Sequence, residues 1–422
     1  MQSSAQVIEN PSAVVIGLDC VTGLQTARIL ASRGVPVIAI AKDPTHYCCR
    51  TRVCRKILFA DTASLDFVTT LRMLGRELGA KAVLFPCTDT SVLLLSRHRH
   101  LVRENYHVVL PERDVVETLI DKIRFYTFAQ EKGLPVPRTF LLKSRPDAEK
   151  AARSLTFPCI LKPPIKTPGW ERETRQKVFK ATHADEFLVL YDRCRGWVQE
   201  LMVQEWIEGP DGNLYTCNCY FDAHSRPLVT FVSRKVRQWP PETGMGCLAV
   251  ECRNDEVQKA CIGLFRSVGY RGLGYIEMKR HRRDGKHYII EPNIGRPTGR
   301  SAIAEAGGVE LLYTQYCETV GRPLPPNLHQ PPSGVKWVHL RRDLQSALYY
   351  WCRGDLTLKE WWRSWRGRKA CALFSVTDPA PFFHDLFRIG RLLLGGKRRR
   401  RKMAARPTRA LRPVRTGNTL IK

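Results

Sequence analysis

No apolar run in this sequence reaches the roughly 18 residues that a membrane-spanning helix needs, and the polar start Met1-Gln-Ser-Ser-Ala carries no signal-peptide core. A cytoplasmic protein is therefore expected. Cysteine is plentiful, at fifteen, but zinc-site spacing is missing: Cys48, Cys49 and Cys54 form one loose cluster, and Cys217 and Cys219 sit two apart in an expected strand. Others lie inside apolar runs such as Phe157-Pro-Cys-Ile-Leu161, so reduced structural thiols are expected. A complete dinucleotide fingerprint is absent too. The turn Gly17-Leu-Asp-Cys-Val-Thr-Gly23 lacks the middle glycine that lets backbone approach a pyrophosphate. The last stretch of chain lacks acid altogether. Lys397-Arg-Arg-Arg-Arg-Lys402 is followed by Arg406, Arg409, Arg412, Arg415 and Lys422 with no counter-charge, which excludes a buried core there.

With 422 residues, 43% of them hydrophobic and 26% charged, the chain is expected to fold as two or three globular domains. A formal charge of +28 is unusual, and the tail supplies much of it. Residues 1 to 111 read as a small doubly wound parallel sheet. Strands are expected at Ala13 to Gly17, Val37 to Ala41, Ala82 to Pro86 and His107 to Pro111, and helices at Gly23 to Arg33, Ser64 to Leu78 and Thr90 to Arg97. Next, Asp121 to Pro137 reads as an amphipathic helix closed by Gly133 and prolines. After a Pro-rich linker from Gly321 to Pro332, Trp337 to Phe387 reads as a Trp-rich cap with helices at Leu344 to Cys352 and Leu358 to Arg366.

The stretch Gly274-Tyr-Ile-Glu-Met-Lys-Arg-His-Arg-Arg-Asp-Gly-Lys-His-Tyr-Ile-Ile-Glu-Pro-Asn293 reads as a β-hairpin with a three-residue turn at Arg283, Asp284 and Gly285. That register sets Glu277 opposite Glu291. It also puts Tyr275, His287 and Asn293 on their face, and Ile276, Met278, Tyr288 and Ile290 on the other. Like charges directly across a ladder repel, so a cation between the glutamates is one reading. Neutralisation by Lys279, Arg280 and Arg296 is the other.

Phe157-Pro-Cys-Ile-Leu-Lys-Pro163 reads as a buried strand ending in Lys162, whose ammonium needs an anion unless it snorkels out. Leu201-Met-Val-Gln-Glu-Trp-Ile-Glu-Gly209 is a strand whose end can offer backbone groups and the Gln204 amide to a purine edge. In Ser233-Arg-Lys-Val-Arg-Gln-Trp239, strand alternation puts Lys235 and Arg237 on one face, where they suit a carboxylate or acyl phosphate; a solvated cationic strand is the alternative.

The ordered series Asp121-Lys122, Phe157-Pro with Lys162-Pro163, Gln204-Glu205-Trp206-Ile207, Glu277 and Glu291 with Asn293 resembles the ATP-grasp superfamily, and within it the bacterial carboxylate-amine ligases. The resemblance spans about residues 10 to 320. It implies an α/β pre-ATP-grasp domain over 1–111 and an α+β ATP-grasp domain over 112–320. A helical cap over 321–390 and a basic, disordered tail over 391–422 complete the expected organisation.

By that resemblance, Lys122 and Lys162 would contact ATP phosphates. Gln204 would bond the adenine amino group, with the Glu205 and Ile207 backbones lining the hinge. Glu277, Glu291 and Asn293 would hold Mg²⁺, or Mn²⁺ in its place. Two departures stand out. The usual glycine-rich loop over the phosphates is replaced by a segment with one glycine, so Lys177 is a candidate to cover the triphosphate. The arginine usual two positions after the metal-binding Asn is replaced by Gly295, which leaves its role to Arg296 or Arg300.

The implied activity is ATP-dependent ligation of a carboxylate, activated as an acyl phosphate, to an amine, with release of ADP and phosphate. Neither the acid nor the amine is identified by the sequence. The other readings are a nucleic-acid-binding protein acting through the basic tail, and a protein held peripherally at the inner membrane surface through Phe387-Arg-Ile-Gly-Arg-Leu-Leu-Leu394 and that tail.

Overall fold

Short runs made only of apolar residues suit strands buried on both faces. In the computed structural model, which describes residues 10–165 and 167–391, three such runs become the centre of a parallel sheet. Its strands are β1 (Ala13–Ile16), β2 (Val37–Ala41), β3 (Lys56–Phe59), β4 (Ala82–Pro86) and β5 (Tyr106–His107), in the order β3-β2-β1-β4-β5. Alternation divides each run between two cores. Val14 and Ile16 pack with Phe67, Leu71 and Val92, whereas Val15 packs with Leu24, Ala27 and Leu30 of the helix Val21–Ser32.

Strand β3, absent from the sequence reading, is a half-exposed edge strand. The expected strand from His107 to Pro111 is reduced to a two-residue pairing against β4. Strand order reverses between β1 and β4. A crevice forms outside the carboxyl ends at such a point, and here it is bordered by Gly17, Thr88 and the helix Asp89–Arg97.

The second layer is an antiparallel sheet of β6 (Thr139–Leu142), β7 (Cys159–Lys162), β8 (Phe179–Ala181) and β9 (Leu201–Glu205), ordered β6-β9-β7-β8. Leu142, Cys159, Leu161, Leu201 and Val203 face the helices Arg145–Ser154 and Ala184–Cys194. The period of two turns Ile160, Lys162, Met202 and Gln204 the other way.

The third and largest sheet comprises β10 (Leu214–Phe221), β11 (Pro227–Trp239), β12 (Met245–Glu251), β13 (Gly272–Arg280), β14 (His287–Ile294), β15 (Lys336–Val338) and β16 (Lys369–Cys371), ordered β14-β13-β10-β11-β12-β15-β16. Cys217, Cys219, Ile276 and Met278 lie against Cys261, Leu264 and Phe265 of the helix Asp255–Ser267. The opposite face presents Thr216, Asn218, Tyr275 and Glu277.

The C-terminal region carries the expected helices, Leu340–Cys352 and Leu358–Ser364, and also adds β15 and β16 to the large sheet. It is pinned to the first domain by Arg28, whose Nε lies 2.8 Å from the buried Asp378 carboxylate. The expected basic tail lies outside the described residues from position 392 onward.

Candidate active site

Strands β13 and β14 place Glu277 opposite Glu291 and Tyr275 opposite Asn293. Two local differences from the expected hairpin cancel at this point. The turn is one residue longer, closed by the His281 N–H donating to the Lys286 carbonyl at 2.8 Å, and a bulge between Glu277 and Met278 then restores the register. Residues on the turn side of the bulge change face. His287, expected beside the glutamates, instead places Nδ1 2.7 Å from the Glu256 carboxylate on the helix behind the sheet. The core position expected for Ile290 is filled by Ile289.

The repulsion between the glutamates is relieved at Glu277. Lys235 Nζ lies 2.9 Å from one of its oxygens and Arg300 3.3 Å from the other, while Arg300 also donates to Thr216 Oγ1 at 3.0 Å. Burial pushes the Glu277 carboxyl up, but these two cations outweigh it and hold its pKa well below the ordinary value. Glu291 meets no cation or hydrogen-bond donor among the described residues. Arg296 takes a different position from Arg300. It donates to Asn293 Oδ1 at 2.6 Å and to the Tyr275 hydroxyl at 2.8 Å, and it pairs with Asp89 at the crevice of the parallel sheet.

Arg237 does not join this group. Val236 has no ladder partner, so the side chains of Lys235 and Arg237, expected on one face, part company. Arg237 makes a bidentate pair with Asp343 at 2.8 and 3.0 Å, and both residues are buried beneath the C-terminal helices. It is committed to a structural ion pair.

The second sheet turns its polar side chains toward the hairpin. Gln204 donates to Thr139 Oγ1 at 2.9 Å, and its carbonyl oxygen accepts from Lys162 Nζ at 3.2 Å. The amide thus serves the sheet as well as the cleft. Burial and the nearby Lys122 ammonium pull the Lys162 pKa down to about 8, against a smaller opposing pull from Glu291. A small cavity gathers Lys122, Tyr126, Asp89, Glu291 and Asn293, and the Tyr126 hydroxyl donates to the Ile290 carbonyl.

At the hinge, the Glu205 side chain accepts from the Thr156 N–H at 3.0 Å, whereas the Ile207 N–H finds no acceptor among the described residues. Lys279 and Lys180 lie 4.7 and 5.4 Å from the Trp206 ring centre. Instead of a glycine-rich loop, the chain after β7 forms the helix Pro168–Glu173, anchored by the fully buried Trp170, and Lys177 Nζ then donates to the Thr243 carbonyl at 3.1 Å.

A D-aspartate ligase of Enterococcus faecium is 25% identical over 250 residues, covering 56% of this chain and 59% of that protein. A D-alanine--D-alanine ligase of Xylella fastidiosa is 27% identical over 186 residues, covering 41% of this chain and 57% of the relative. This chain thus spans less than two thirds of these relatives' lengths. Among solved structures, the biotin carboxylase domain of Hydrogenobacter thermophilus 2-oxoglutarate carboxylase superposes with a TM-score of 0.56 at 16% identity, over 74% of this chain and 70% of that one. The chain has the fold of the ATP-grasp enzymes. No protein-family profile matches it.

The hairpin offers oxygen ligands: the Glu291 carboxylate, Asn293 Oδ1, which also accepts from Arg296, and Glu277, whose two oxygens meet Lys235 and Arg300. That donor set fits a hard divalent cation. Sequence reasoning overlooked Thr139, Lys180, Thr216 and Asp89. Alternation along β8 and β10 could have found Lys180 and Thr216. Nothing local could have found Asp89, which is 207 positions from its partner Arg296.

Lys162 makes the site testable by pH. Its folded pKa of about 8 is below the ordinary 10.5, so at neutral pH the charged form is penalised, and the penalty is relieved as pH rises between these values. At about 1.4 kcal/mol per pKa unit, the penalty is at most about 3 to 4 kcal/mol. In urea unfolding of nucleotide-free protein, Lys162→Met is expected to gain stability at pH 7 and to lose most of the wild-type rise between pH 8 and 10. An unchanged slope would refute the assignment.

Proposed function

We propose that this protein is an ATP-dependent carboxylate-amine ligase. The observation that carries the reading is the facing of two polar surfaces: Lys162 and Gln204 on one sheet, and Glu277, Glu291 and Asn293 on another, with Lys235 and Arg300 already seated on Glu277. The cleft adds Lys122, Lys180 and Lys279. Such a cationic excess suits a polyphosphate.

In this reading the free Ile207 N–H and the hinge backbone receive the adenine, and Lys122 and Lys162 hold phosphates. Lys177, fixed across the cleft to Thr243, lies at the phosphate-covering segment. Glu291, Asn293 and Glu277 would hold Mg²⁺, which neutralises phosphate charge when bound; the related carboxylase domain carries MgADP. A substrate carboxylate oxygen attacks the terminal phosphorus, ADP leaves, and an acyl phosphate forms. The neutral amine then attacks the carbonyl carbon, phosphate leaves, and the nitrogen gives up a proton.

In this reading Arg300 and Lys235 meet the reacting anions, and Arg296 orients Asn293 and borders the crevice at Asp89, where the acid or amine would enter. The two named ligase relatives act on amino acids, which makes amino acids and short peptides the first substrates to try. Release of ADP should depend on both a carboxylate and an amine from such a panel, with the amide seen by mass spectrometry. Release of pyrophosphate instead of ADP would overturn the mechanism.

A further inference from the structure

The helix Leu340–Cys352 is apolar on the side it turns to solvent. Asp343, Ser346 and Ala347 face inward, whereas Leu340, Leu344, Leu348 and Trp351 form an exposed stripe at helical spacing. Single exposed leucines are ordinary on protein surfaces; a contiguous row is not. The row has neighbours on both sides. Trp361 and Trp365 donate to Asp343, which ties the helix Leu358–Ser364 alongside and leaves its Leu358 and Trp362 more than 60% exposed. Arg341 pairs with Asp385, which brings in the helix 380–391 with Phe383, Leu386 and Phe387 exposed.

Charge decides what such a surface would meet. Asp343, Asp378 and Asp385 are buried in internal pairs, so the region's exposed acids are Asp355, paired with Arg353, and Glu360, which caps its own helix. With Arg353 and Arg388 paired to Asp355 and Asp385, exposed Lys359, Arg363, Arg366 and Arg368 remain in the region. The chain beyond adds the acid-free Lys397-Arg-Arg-Arg-Arg-Lys402 run and the arginines after it. Apolar side chains at the centre, tryptophans beside them and a cationic border are what an anionic bilayer surface selects. Leucine dominates the row, which disfavours nucleic acid, because bases stack on aromatic and guanidinium faces rather than on aliphatic ones.

We propose that this three-helix face docks on anionic membrane surfaces, seating Leu344, Leu348, Leu358, Trp362 and Phe387 in the interface while the surrounding cations meet lipid phosphates. The site is separate from the nucleotide cleft and holds whether or not the ligase reading does.

Co-sedimentation of the full chain with vesicles of equal parts phosphatidylcholine and phosphatidylglycerol tests it, with phosphatidylcholine alone as control. Strong binding to the mixed vesicles is expected and at least roughly tenfold weaker binding to the neutral ones. The exposed-site double variant Leu348→Glu with Trp362→Glu is expected to keep its far-UV circular dichroism and to bind mixed vesicles about tenfold or more weakly. A chain ending at Arg391 should still favour the mixed vesicles and remain sensitive to the same double variant. Equal sedimentation of variant and full chain would overturn the proposal, as would failure of the full chain to bind. So would a dimer in analytical ultracentrifugation, or RNA binding, that the double variant abolishes while vesicle binding is unchanged.

Discussion

Glu291→Gln is expected to abolish ADP formation, a loss of about a hundredfold or more, while leaving the thermal midpoint essentially unchanged. Among the described residues its carboxylate makes no close ion pair and exerts only a small pull on Lys162, so little of the fold's stability depends on its charge. A divalent cation does depend on it, because Glu277 is already shared by Lys235 and Arg300 and Asn293 brings no charge. Removing the one uncommitted carboxylate therefore strips the site of most of its attraction for metal. Glu277→Gln would be a poorer test, since it also leaves two buried cations without their partner and confounds activity with stability. Turnover measured at saturating Mg²⁺, alongside thermal unfolding, separates the two; near-normal turnover would refute the metal assignment and leave the hairpin as an ion-paired surface.

The hairpin was legible because a glycine turn and a period of two act over about twenty residues. Even there the agreement at Glu277 and Glu291 depends on two cancelling departures, a longer turn and a bulge, and His287 sits on the far side of that bulge. The parallel strands were legible for a similar reason: burial on both faces leaves only apolar residues in β1, β2 and β4. Edge strand β3 and the short strands β15 and β16 each begin with a lysine and run for only three or four residues, so they are defined by the neighbours they join. Arg296 shows the same limit at the site. Its spacing after Asn293 is visible in the sequence, but its partner Asp89 starts the helix beside the parallel sheet, and only the folded chain places the two at the crevice.

The bulge at Val236 that parts Arg237 from Lys235 cannot be read from alternation, and the Arg237–Asp343 pair it allows carries the largest expected stability effect. Asp343→Ala should cost about 3–5 kcal/mol in urea unfolding, since it strands a buried guanidinium. It also removes the acceptor of the Trp361 and Trp365 indole N–H groups. Those two bonds hold the helix Leu358–Ser364 against its neighbour, so the loss should appear as early loosening of the C-terminal helices. A buried ion pair is often nearly neutral against an apolar replacement of similar volume. Arg237→Met with Asp343→Leu is accordingly expected to recover much of the stability that the single variant loses, although the indole donors stay unpaired and Ser364, which still donates to the Trp361 carbonyl, loses the Arg237 donor. That double variant tests whether the Asp343 pair is the whole of Arg237's role. If Arg237 holds a reacting carboxylate, turnover will fall while stability returns. If it is committed to Asp343, stability and turnover will return together, and the anions of the reaction will belong to Lys235 and Arg300, which face Glu277 across the sheet.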